Sequence, residues 1–129
     1  MAPDIADGIA RVATWLQSVV PEEFVVRIDA HHDVYVGHRT HPRFGWVVQC
    51  GSLVLAEPRN DLAWIVQNLL SHVQDFVAEM TTDVWPRAPM RERVLPLPDV
   101  EIEGSRLRLG YKVGSSWVLV TEVETRETA

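Results

Sequence analysis

The 129-residue chain has one cysteine, Cys50, and one lysine, Lys112, and its twelve basic residues face eighteen acidic ones. A single cysteine excludes an internal disulfide and a paired-cysteine zinc motif, and it suits a reducing, cytoplasmic setting. The formal charge of −6 withholds the basic field that nucleic acid or an anionic membrane needs, so neither is expected as a partner. Long apolar runs are also missing. The most apolar segment, "LAWIVQNLLSHVQDFVAEM", is interrupted by polar residues throughout and cannot span a bilayer. The opening "MAPDIADG" has neither the basic start nor the apolar stretch of a signal peptide. There is no Gly-x-Ser-x-Gly elbow, phosphate-binding glycine loop, dinucleotide fingerprint or His-Glu-x-x-His helix. No cofactor is therefore expected.

What is present is the composition of a globular protein, 47% hydrophobic and 23% charged. The length fits one domain, residues 1–129, with a core that needs no covalent or metal staple. "PDIADGIARVATWLQSVVP" reads as an amphipathic helix, with Ile5, Ile9, Val12, Leu16 and Val19 on one stripe, and Pro21 ends it. Strand candidates follow in "EFVVRIDA", "VYVGH" and "GWVVQCGSLVLAE", the last with a bend or bulge expected at Gly51-Ser52.

In "RNDLAWIVQNLLSHVQDFVAEMTTD" nine apolar residues from Leu62 to Met80 form a broad arc, and Asn60 or Asp61 is suited to cap it. That pattern predicts a second, core-facing helix. A proline-punctuated connector, "WPRAPMRERVLPLPD", comes next and is expected to be extended.

The tail, "VEIEGSRLRLGYKVGSSWVLVTEVE", predicts three antiparallel strands. A two-residue turn at Gly104-Ser105 sets Glu103 opposite Arg106 and Glu101 opposite Arg108. A three-residue turn from Gly114 to Ser116 sets Val113 opposite Trp117, Arg108 opposite Glu122 and Arg106 opposite Glu124. One face then carries Glu-Arg-Glu rows, which support each other as opposite charges across strands. The other face carries Val100, Ile102, Leu107, Leu109, Tyr111, Trp117, Leu119 and Val123. The order α-β-β-β-α-β-β-β has no strand–helix alternation, so the expected class is α+β, a mainly antiparallel sheet covered by helices.

Three features bear on chemistry. Four of the five histidines crowd into "DAHHDVYVGHRTHP". A hairpin that joined Asp29, His31 and His38 would offer a carboxylate and two imidazoles to a divalent metal. The spacing matches no metal signature, and a polar hairpin surface explains the same residues. Cys50, inside a strand, reads as a small buried hydrophobe and not as a nucleophile. Trp64 projects about 200° from Leu62 around its helix, away from the apolar arc. It is either covered by the chain's own connector or serves as an interface anchor. "PRAP", from Pro86 to Pro89, has the Pro-x-x-Pro form of a polyproline ligand, although an ordered connector is the commoner role.

The run from the second helix through "VWP" to "IEGSRLRLGYKVGSSWVLV" resembles small uncharacterised actinobacterial proteins with an amphipathic helix, a Trp-Pro step and a strand pair bearing a Trp. The resemblance covers about the C-terminal half. Cysteine and histidine follow the Trp-Pro step in those proteins, whereas this chain has "RAPMRERVLPLP". The resemblance implies no particular function.

These features favour a non-enzymatic module that binds another protein or a second copy of itself, with Trp64, Trp85 and Pro86 as candidate contact residues. One alternative is a metal-dependent or acid–base enzyme built on Asp29, His31 and His38. Another is a small-ligand binder with a Trp-lined groove.

Overall fold

A computed structural model describes residues 3–31, 33–48, 62–86, 94–104 and 106–124, with the side chains of 3–6 and 41–48 outside that description. The described elements run in the order helix α1 (Pro3–Val19), strands β1 (Phe24–Ile28), β2 (Val34–His38) and β3 (His41–Val48), helix α2 (Leu62–Thr81), and strands β4 (Leu97–Glu103), β5 (Arg106–Val113) and β6 (Ser116–Glu124). The strands form two antiparallel three-stranded sheets, β1-β2-β3 and β4-β5-β6. The protein is α+β, as the patterning implies. Strand β3 starts at His41, ahead of the expected start at Gly45, because the β2–β3 turn is tight and pairs His38 with His41. The predicted cap at Asn60 or Asp61, the bend at Gly51-Ser52, Cys50 and His32 lie outside the described residues.

Both helices bury most of the stripes that their periodicity marks out; Val19 and Met80 are half-buried, and the side chain of Ile5 lies outside the described residues. Ile9, Val12 and Leu16 of α1 and Leu62, Ile65, Val66, Leu69, Leu70, Val73, Phe76 and Val77 of α2 are buried. They join Phe24, Val26, Val34 and Val36 of the first sheet and Leu107, Leu109, Tyr111 and Val123 of the second in one apolar cluster. Helix α2 ends in a Schellman turn. Thr82 adopts a positive φ of 52°, and its N–H donates to Glu79 O (3.4 Å) while the Asp83 N–H donates to Ala78 O (3.2 Å).

Sheet edges are sealed from the helices. The Gln17 carboxamide of α1 donates to Phe24 O (3.1 Å) and accepts from Val26 N–H (2.8 Å), occupying two of the outward bonding groups of β1. On α2, Gln67 donates to Pro98 O (2.9 Å) and the buried Gln74 donates to Pro96 O. An edge left open would template pairing with another chain.

The register of the second sheet is Glu101↔Arg108↔Glu122 and Glu103↔Arg106↔Glu124, as the turn analysis predicts. Near the β5–β6 turn it differs. The turn is a two-residue Gly114-Ser115 step pairing Val113 with Ser116 and Lys112 with Trp117, and the register then shifts so that Tyr111 faces Leu119. Val118 is the extra residue of a bulge. Trp117 is thereby moved from the expected apolar face to the charged face, where the Lys112 ammonium lies 4.5 Å from its ring centroid. Gly110 is required here. Its φ is 154°, and a Cβ would sit 1.9 Å from Leu119 O.

Candidate functional site

The strand register separates the residues proposed as a metal site. Asp29 follows the Ile28↔Val34 end of the first hairpin, and His38 pairs with Phe24 at the other end. Four strand steps, about 13 Å, separate the two ends. Asp29 instead holds its own turn together. Its Oδ1 accepts from the N–H groups of His31 (2.8 Å) and Asp33 (3.1 Å), and its Oδ2 accepts from the Tyr35 hydroxyl (3.1 Å). Desolvation pushes the Asp29 carboxyl up, but those three hydrogen bonds and the nearby His31 outweigh it and hold the group below its ordinary 3.8. Tyr35 is raised in turn, first by its bond to the carboxylate.

His31 is exposed. The His38 ring lies edge-on to Phe24, with centroids 5.3 Å apart, and its Nδ1 accepts the Thr40 N–H at 3.2 Å. Among the described residues no group of three or more His, Cys, Asp or Glu side chains is placed to hold a metal ion.

The charged face of the second sheet is internally matched. Arg108 meets Glu122 at 2.9 Å and reaches Glu103 at 3.5 Å, and Arg106 meets Glu124 and Glu122 at 3.3 and 3.4 Å. Lys112 pairs with Glu101 and with Asp99, the latter at 3.1 Å. Glu101 thus engages Lys112 and not its register partner Arg108. Hydrogen bonds to Glu101 and then Asp99 raise Lys112, and the bond to Glu122 raises Arg108. With each base set among carboxylates, this face offers no net positive surface for an anionic ligand.

A concave feature lies elsewhere among the described residues. A cleft of about 440 Å³ is lined by Val19 and Pro21 after α1, Thr81, Asp83, Val84, Trp85 and Pro86 after α2, and Val118 and Leu119 of β6. Each wall has a local cause. Pro21 ends α1. The Schellman turn redirects the chain into Asp83, whose Oδ1 accepts the Val84 N–H at 2.7 Å. The bulge in β6 places Val118 at the rim.

Trp85 and Pro86 are buried and joined by a cis peptide bond. The indole meets Tyr111 edge-on at 5.3 Å, and the Tyr111 hydroxyl donates to Leu70 O at 2.7 Å. Two of the three expected contact residues therefore share one cleft. The third does not: Trp64 is 46% exposed in the first turn of α2, seventeen residues or about 25 Å from Thr81 along the helix.

Sequence reasoning missed Val19, Pro21, Val84, Val118 and Leu119. They come from separate segments and share no local pattern, although the Trp-Pro step marked the position. Of "PRAP", Pro86 alone lies within the described residues. Among the described residues no helix is long and apolar enough to cross a membrane. Comparison with protein-family models, curated proteins and solved structures finds no match.

Proposed function

We propose that this protein is a non-enzymatic protein-interaction module that receives an apolar side chain of its partner in the Trp85-Pro86 cleft. The observation that carries the reading is the lining of the cleft: aliphatic, proline and tryptophan walls, with Asp83 as the charged lining residue and its Oδ1 engaged by the Val84 N–H. An acid–base or metal mechanism needs several titratable groups aimed at one point. Here Asp29 and His38, two of the three residues offered for such chemistry with His31, stand at opposite ends of a hairpin. Burying one large apolar side chain in the cleft would contribute about 1.5–3 kcal/mol, the scale of an interface anchor. In this reading the module acts in the cytoplasm, needs no cofactor, and takes as partner another protein or a second copy of the chain.

Val118→Glu tests it, because the rim residue has no strand partner to lose. Wild-type and variant proteins are cross-linked in extract of the native host, and their melting curves are compared. The expected result is loss of a specific cross-linked partner with the fold intact. Retention of the partner at full yield by a folded Val118→Glu protein overturns the proposal. Clefts of this volume also hold small molecules. A small molecule that co-purifies with the wild type in native mass spectrometry and is lost from Val118→Glu would replace the protein partner with a ligand.

A further inference from the structure

We draw no further inference here: the strongest candidate, the exposed apolar end of the seam between α2 and β4 marked by Trp64 and Ile102, carries nothing because nothing in the structure shows what covers it.

Discussion

At the outer edge of β1 one glutamine acts as both donor and acceptor, whereas at the outer edge of β4 two glutamines act only as donors. The reason lies in the strands. Val26 presents an N–H that Gln17 must accept, and Phe24 N–H is taken by Pro21 O at 2.9 Å. Pro96 and Pro98 have no N–H, so the helix need supply only donors to their carbonyls. The Val100 N–H is met at 3.0 Å by the side chain of Asp99. The same residue type on two helices thus does different work, set by where proline falls in the strand and just before it. The two sheets also differ in charge. Arginine and glutamate on the second sheet are cross-paired, whereas the first hairpin spends its carboxylate on shaping a turn.

The sharpest way to break the edge comparison is to replace each amide by a carboxylate. In Gln17→Glu the bond from Val26 N–H is kept and the one to Phe24 O is lost. In Gln74→Glu a buried carboxylate faces a carbonyl and can donate only if protonated. We expect Gln74→Glu to cost about 3 kcal/mol or more at pH 7, and Gln17→Glu about 1–2 kcal/mol. The sign with pH differs as well. Burial raises the folded-state pKa of the carboxyl introduced by Gln74→Glu, so its penalty is absent at acid pH and grows as pH rises past the unfolded value. Urea denaturation of both variants at pH 4.5 and pH 7 checks this. Equal losses at both positions, independent of pH, would mean that the two edges are sealed in the same way.

A smaller effect separates the two ends of α2. Trp64 is half-exposed and about 25 Å from the cleft, so Trp64→Ala should cost about 1 kcal/mol and leave the Val118-dependent partner in place. Thermal melting and the same cross-linking assay decide it. Loss of that partner from a folded Trp64→Ala protein would move the contact surface to the other end of the helix.

The charge contrast predicts weaker, oppositely signed pH limbs. Asp29 is held below 3.8, so its contribution is present above that value and is lost as pH falls through the folded-state pKa. Lys112 is raised above 10.5, so its contribution is present below that value and is lost as pH rises through the folded-state pKa. Asp29→Asn should flatten part of the acid limb of a stability–pH curve, and Lys112→Met part of the alkaline limb. Because Asp29 also raises Tyr35, Asp29→Asn should flatten part of the alkaline limb as well, through the lost Tyr35 bond. A stability–pH curve that Asp29→Asn leaves unchanged would show that the Asp29 turn carries no pH-dependent stability.

How far the sequence disclosed this arrangement depended on the range of the forces involved. The Glu-Arg-Glu register was readable because a short turn at Gly104 and a charge alternation fix it locally. The bulge at Val118 was not, since a valine inside a strand looks the same paired or unpaired. That one residue misplaced Trp117 and hid a cleft wall. Helical glutamines read as solvent-facing until the strand beside them is known. Trp85 and Pro86 stood out by composition, but the walls around them are assembled by packing between distant segments.

The smallest expected effect is a null in zinc titration, and it tests the first hairpin directly. The local crowding of histidines suggested convergence, but antiparallel pairing sends the two ends of β2 in opposite directions. Asp29 has both carboxylate oxygens engaged by its own turn, and His38 has Nδ1 facing Thr40. Recruiting both to one ion would require breaking those bonds and bridging about 13 Å, beyond the roughly 2.0–2.2 Å reach of zinc to its ligands. Isothermal titration should therefore show no saturable equimolar binding that depends on both ends. Weak heat from the exposed His31 and the half-buried His38 should fall independently in His31→Ala and His38→Ala. Tight equimolar binding abolished by either substitution alone would mean that the hairpin re-pairs around a metal. That outcome would restore the Asp29, His31 and His38 reading and remove the contrast between a sheet whose charges bind each other and a hairpin whose charges shape the chain.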